Sequence, residues 1–209
     1  MNDKPSAKVT ILEHGLKPKK SFGQNFMVDQ RVNAIFARAV FSLGQGPAIE
    51  IGAGTGSLTR HLLEHVSLVH AIERDRDLVP ILNKDFAADI EKGSLIIHEA
   101  DGARFDLSSS VTKEEPAILV GNLPYHLTSS IMLLALKNYT LLKGAVFLIQ
   151  KEVADRLLSA PDSKIYGFMT VILNLAFTVS RVTNVDKSAF WPVPKIDSAI
   201  IKLETKDQG

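Results

Sequence analysis

Glu50-Ile51-Gly52-Ala53-Gly54-Thr55-Gly56-Ser57 is the stretch whose reading decides the fold. Ala48–Ile51 is a short apolar strand, the glycines make a tight turn, and the residues from Ser57 to about His65 form a helix. Outward from this unit the same alternation continues. Strands are expected at Leu68–Ile72, Leu95–Ile97, Ala117–Val120 and Ala145–Ile149, with helices from near Arg76, from Thr128 to Lys137, near Glu152–Leu158 and over Phe168–Ala176. Upstream, Val32, Ile35, Phe36, Ala39 and Val40 fall on one face of a helix that Asp29 is placed to cap. Strands alternating with helices indicate an open, mostly parallel α/β sheet covered on both faces. The last two β runs, Val179–Val185 and Ser198–Leu203, have no helix between them, so one is expected to join antiparallel.

Composition bounds the function. The 209 residues are 45% apolar and 22% charged, which is ordinary globular usage and argues against wholesale disorder. Lys and Arg number 24 against 23 Asp and Glu, a formal charge of +1, so a uniformly basic coat for nucleic acid is excluded while a local basic patch is not. With no cysteine, disulfide scaffolds, Cys-based zinc sites, iron–sulfur clusters and thiol nucleophiles drop out, and the lack suits a reducing, cytoplasmic setting. Neither a signal peptide nor a membrane span is legible. Residues 1–21 carry Lys4, Lys8, Lys17, Lys19 and Lys20 against Asp3 and Glu13, with two prolines. They read as a mobile basic N-terminal arm, and residues 22–209 as one domain.

The glycine turn lies where a nucleotide-type ligand sits in such sheets, outside the carboxyl ends of the strands. Glu73 lies 21 residues after Gly52 and ends the second strand, where its carboxylate can accept from both ribose hydroxyls. Dinucleotide sites prefer G-x-G-x-x-G, but Ser57 leaves G-x-G-x-G. That pattern suits S-adenosylmethionine (SAM), which has no pyrophosphate for a helix N-terminus to face. A phosphate-binding Walker loop is excluded because no G-K-[ST] follows. Asp101, past the third strand, can receive the exocyclic amine of a bound adenine, or simply cap the turn beside Gly102.

Gly121-Asn122-Leu123-Pro124-Tyr125 follows the fourth strand at the same edge. A nucleobase amine is a poor nucleophile because its lone pair is delocalised into the ring. The Asn122 side-chain carbonyl, with the Leu123 or Pro124 backbone carbonyl, would favour a pyramidal, reactive nitrogen. Tyr125 can stack on the base. A plain Asn/Pro turn is the bland alternative. His61-Leu62-Leu63-Glu64-His65 matches a zinc pattern, but Leu62 and Leu63 read as sheet packing and no third ligand is evident, so no metal is expected. Gln150-Lys151-Glu152 reads equally as a charged helix start or an RNA-facing group, and Trp191 as packing.

The chain resembles the ribosomal RNA small-subunit adenine N6,N6-dimethyltransferase family (KsgA type). Beyond the two turns, the matching pieces are Ser21-Phe22-Gly23-Gln24-Asn25-Phe26, Gln150-Lys151-Glu152-Val153, Ser163-Lys164-Ile165-Tyr166-Gly167 and the stretch from Phe190-Trp191-Pro192-Val193-Pro194 to Ser198-Ala199. In order and spacing they run from about Lys17 to Leu203. The resemblance implies a Rossmann-like SAM-dependent methyltransferase fold of seven strands, one antiparallel. It implies that Asn25, Met27 and Gly54 contact the cofactor, that Gly52 lines its methionine side, that Glu73 takes the ribose and Asp101 the adenine. Asn122 would serve cofactor and target amine, while Tyr125 and Phe190 would sandwich an extruded adenine.

Family members place two methyls on each of two neighbouring adenines near the 3′ end of small-subunit rRNA. The implied partner is thus the immature 30S subunit, with no membrane partner and a monomeric enzyme. The family's usual helical C-terminal domain has no counterpart in these 209 residues. Three rivals stay open: an Erm-type large-subunit rRNA methyltransferase, which would carry Ile where Leu123 stands; a ribosome-assembly factor on the same fold with reduced methylation; and, further off, a nicotinamide oxidoreductase.

Overall fold

The central strands are buried on both sides, and their sequences show why. In the computed structural model, which describes residues 6–206, Ile49 and Ile51 pack into one apolar layer while Ala48 packs into the layer on the opposite face. The same alternation places Leu119, Ala145 and Phe147 on the first side and Ile118, Val120 and Val146 on the second. A strand apolar on both faces needs helices over both, as parallel sheets require.

The elements in chain order are α1 (Ala7–Glu13), β1 (Phe26–Met27), α2 (Gln30–Phe41), β2 (Ala48–Ile51), α3 (Ser57–Leu63), β3 (Val69–Glu73), α4 (Val79–Asp85), α5 (Ala87–Glu91) and β4 (Leu95–Glu99). They continue with β5 (Ala117–Asn122), α6 (Thr128–Lys137), β6 (Leu142–Gln150), α7 (Lys151–Leu157), α8 (Phe168–Ala176), β7 (Phe177–Val185), β8 (Phe190–Trp191) and β9 (Ser198–Thr205). Seven strands form one sheet in the order β4-β3-β2-β5-β6-β9-β7. All neighbours are parallel except β9, which runs antiparallel to both β6 and β7. The expected fold class therefore holds, single antiparallel strand included. No helix among the described residues is long and apolar enough to cross a membrane.

Local chemistry sets the element ends. The Asp29 side chain accepts from the Arg31 N–H at 2.9 Å and starts α2, as expected. The helix expected from near Arg76 begins only at Val79. Asp75 takes the preceding residues for a turn, its carbonyl accepting from Leu78 and Val79 and its carboxylate from the Asp77 N–H.

The arm differs more. From Ala7 to Glu13 it is a helix, with Ala7, Thr10 and Ile11 buried on a small cluster formed with Phe26, Leu78 and Ile81. Ala7 and Ile11 lie one helical turn apart, a pairing that the surrounding lysines and prolines obscure in the sequence. Residues 1–5 of the expected arm, with Asp3 and Lys4, lie outside the described residues. Trp191 packs against this same cluster, in keeping with its expected role.

An unexpected two-stranded ribbon, β1 with β8, pairs Phe26 with Trp191 and Met27 with Phe190. It ties the segment before α2 to the loop before β9.

Gly56 closes the glycine turn with φ +78°, and a Cβ there would sit 2.3 Å from Cε2 of Phe86, a fully buried ring. Gly56→Ala is therefore expected to cost ~2–4 kcal/mol, from a left-handed residue plus overpacking. Urea denaturation of parent and variant reads this directly; an unchanged midpoint would show that the Phe86 ring yields freely.

Candidate functional site

The sheet brings two loops to one place. The chain runs outward from β2 to β3 and β4, then returns to lay β5 on the other side of β2, with Ile51 opposite Gly121. The glycine turn and the Asn122–Tyr125 turn therefore leave adjacent strand ends at the reversal of strand order, the usual ligand crevice of open α/β sheets.

A cleft of about 870 Å³, counted with its open mouth, occupies that position. Of the expected cofactor residues, Asn25, Gly52, Gly54, Glu73, Asp101 and Asn122 all line it. So do Leu123, Pro124, Tyr125 and Phe190. Met27 does not. Its side chain is buried in the apolar layer that includes Phe36 and Leu58, and it borders a smaller cavity behind the glycine turn.

Glu73 lies at the end of β3 and is almost buried. Its two oxygens accept from the Gly54 N–H and the Asp75 N–H, each at 2.7 Å. Burial raises its carboxyl above the ordinary glutamate value, against those backbone donors. Gly52, at φ +75°, has open space where a Cβ would stand, so bare backbone faces the cleft. Asp101 caps the turn, its carboxylate accepting from the Ala103 N–H at 3.1 Å, and it lies 3.8 Å from Arg74 at the cleft.

The Asn122 amide is oriented by a bond that only the fold supplies. Its Nδ2 donates to the Asn25 carbonyl at 3.1 Å, which leaves Oδ1 as the acceptor end. In the same turn the Leu123 N–H donates to Leu148 and the Pro124 carbonyl accepts from Leu127. Of the two backbone carbonyls considered, Pro124 is thus already engaged. The Tyr125 hydroxyl pairs with Ser198 at 3.3 Å, and Phe190 is 3% exposed at the inner wall.

Sequence reading missed part of the cleft's lining. Phe22, Gln24 and Arg74 belong to it, the Arg74 guanidinium lying 4.7 Å above the Phe22 ring. The carboxylates packed into Glu73-Arg74-Asp75-Arg76-Asp77 were the available signal. The zinc-like pattern is used otherwise: His61 bonds Gln30 at 3.1 Å and His65 packs on Phe41.

Beneath the glycine turn, Glu50 is 2% exposed and accepts from the Thr59 hydroxyl at 2.6 Å. Burial pushes its carboxyl up to about 8, with the nearby Glu73 adding to the rise.

The residues fit SAM by their own chemistry: bare backbone at Gly52, a buried carboxylate at Glu73 for vicinal hydroxyls, and a rim carboxylate at Asp101 for an amine. A family model described as ribosomal RNA adenine dimethylase matches residues 15–209. The ribosomal RNA small subunit methyltransferase A of Anaeromyxobacter dehalogenans (strain 2CP-C) is 37% identical over 201 residues, 94% of this chain and 71% of that protein. Among solved structures, a dimethyladenosine transferase from Plasmodium falciparum superposes with a TM-score of 0.73 at 29% identity, covering 85% of this chain and 62% of the other. The 23S rRNA methyltransferase ErmE gives 0.74 at 29% identity, covering 87% and 70%.

The raised Glu50 has a pH signature. In the unfolded chain it ionises near 4.5, in the fold near 8. Below the lower value both states hold the proton; between the two, only the unfolded state gives it up, so this group costs stability progressively as pH rises, until the loss levels off above 8. Denaturant titrations from pH 5 to 9 should show parent stability falling relative to Glu50→Gln, which has no proton to lose. A pH-independent difference would sink the assignment.

Proposed function

We propose, for a chain that belongs to the ribosomal RNA adenine dimethylase family, that it transfers methyl groups from SAM to the N6 amines of two adjacent adenosines near the 3′ end of small-subunit rRNA. The product is N6,N6-dimethyladenosine, and the substrate the immature small ribosomal subunit in the cytoplasm. In this reading residues 22–209 form the catalytic domain and the enzyme acts as a monomer. The single observation that carries the proposal is the Asn122 amide. It is locked by Asn25 beside Glu73 in one cleft, with its acceptor end left for an amine.

SAM, when bound, supplies a methyl group on a sulfonium that needs no further activation, and neither metal nor strong base is asked of the protein. The protein's own work is positioning. Glu73 holds vicinal hydroxyls, and Asp101 takes an exocyclic amine at the rim. Asn122 Oδ1 and the Leu123 carbonyl accept the N–H groups of the target adenine, favouring the pyramidal nitrogen that can attack. Tyr125 offers a stacking face beside the buried Phe190, and holding the extruded base there converts a bimolecular encounter into an oriented one.

The large-subunit reading has one observation behind it, the equal superposition of ErmE. Identity of 37% across 94% of the chain to a small-subunit relative favours the first reading. Transfer of labelled methyl from SAM to immature small subunits, run beside large-subunit rRNA, decides between them. Label appearing solely on large-subunit RNA would overturn the proposal.

Asn122→Ala is expected to lower turnover by about 10²–10³-fold with the fold intact, comparable to a lost oxyanion-hole donor. Near-normal turnover would reduce Asn122 to a turn residue. Glu73→Ala should weaken SAM binding by ~1–3 kcal/mol and Glu73→Gln by less, as for hydrogen bonds to a charged group. Calorimetric titration with SAM checks both.

A further inference from the structure

One wall of the cleft is not built from the sheet. It is the strap between α1 and β1, whose residues Phe22 to Asn25 line the cleft and whose own regular structure is a single short turn. Two of its side chains, Lys19 and Gln24, converge on Asp75, which is 2% exposed and does not itself line the cleft. Asp75 Oδ1 accepts from the Lys19 ammonium at 2.5 Å and from the Asp77 N–H at 3.0 Å. Oδ2 accepts from Gln24 Nε2 at 2.7 Å. Gln24 Oε1 accepts in turn from the Lys19 N–H at 2.7 Å, and the Lys19 ammonium also reaches Asp77 at 2.7 Å. Finally, the Asp75 N–H donates to Glu73 Oε1. Asp75 thus gathers Lys19 and Gln24 of the strap on its carboxylate and holds the carboxylate proposed for the ribose with its backbone N–H.

We infer that Asp75 is a positioning residue for the methyl donor: it holds the strap closed over the cleft and fixes Glu73, without touching the cofactor. This rests on the reading of the cleft as the SAM site. Burial alone would push the Asp75 carboxyl up, but the Lys19, Asp77 and Gln24 donors outweigh it and hold the group below the ordinary aspartate value. Two of the three donors to the ionised carboxylate, Lys19 and Gln24, therefore belong to the strap. Opening the strap would leave a buried charge short of donors, which is costly. A ligand that touches Glu73 and the strap together binds the closed arrangement better, so weakening the clamp lowers apparent affinity by the fraction of closed protein lost. Once the cofactor is saturating, the chemical step at Asn122 is unaffected.

The test is a KM-against-kcat split on the full chain, with calorimetric SAM binding alongside. Asp75→Asn should raise the SAM Kd and KM by about 10–100-fold, the usual loss for a residue that orients a binding group, with kcat at saturating SAM and the RNA KM within about threefold. Should Asp75→Asn fold poorly, Lys19→Met with Gln24→Leu tests the same clamp from its more exposed side and should shift SAM KM in the same direction. Hydrogen exchange supplies a readout without ligand: amides of residues 20–25 should exchange faster in either variant, and SAM should slow them in the parent far more than in the variants. A parent that binds SAM, with folded variants binding within about twofold of it, overturns this inference alone. A parent that binds no SAM overturns the reading of the cleft and this inference with it, while the ligand-free exchange data still report whether Asp75 holds the strap.

Discussion

Parallel pairing of β2 with β5 is the constraint on which the site depends. Because the chain leaves β2 for β3 and β4 before returning to β2's other side, the two turns richest in chemistry emerge from neighbouring strand ends. Neither loop forms a site alone. The glycine turn offers bare backbone and the Asn122 turn offers acceptors. Placing Ile51 against Gly121 sets them across one cleft. Helices on both faces keep this pairing dry, so a shift in register would drive apolar residues out of two layers at once.

Three carboxylates stand on or just past the ends of β2 and β3, and each is handled differently. Glu50 has one hydroxyl donor and is pushed up to about 8. Glu73 has backbone donors to both oxygens and is still raised by its burial. Asp75 gains an ammonium and an amide besides a backbone N–H, and stays below the usual range. The ordering follows the strength and number of donors set against burial. It divides the labour: a neutral structural group at ordinary pH under the turn, an acceptor at the cleft edge, and a charged anchor behind the wall.

The ribbon of β1 and β8 completes the enclosure. It fixes the far end of the strap, buries Met27, and sets Phe190 at the inner wall, so residues more than 160 positions apart share one surface. The same strap supplies the carbonyl that orients Asn122.

The sequence by itself determined the sheet. Alternating apolar runs and punctuating glycines are local signals, and the strands at Ala48–Ile51 and the helices at Thr128–Lys137 and Phe168–Ala176 stand where periodicity put them. It also determined which residues gather at the carboxyl ends, since strand order in such sheets leaves few alternatives. Tertiary structure alone decided the rest. Lysines and prolines concealed the Ala7–Ile11 face, which becomes apolar packing only because Phe26, Leu78 and Ile81 meet it. Asp75 reads as one acid in a charged run until Lys19 and Gln24, more than fifty residues away, converge on it. Two-residue strands such as β1 and β8 carry no period to detect. Those features are contacts between distant segments, and their energy depends on burial and donor geometry that no local window contains.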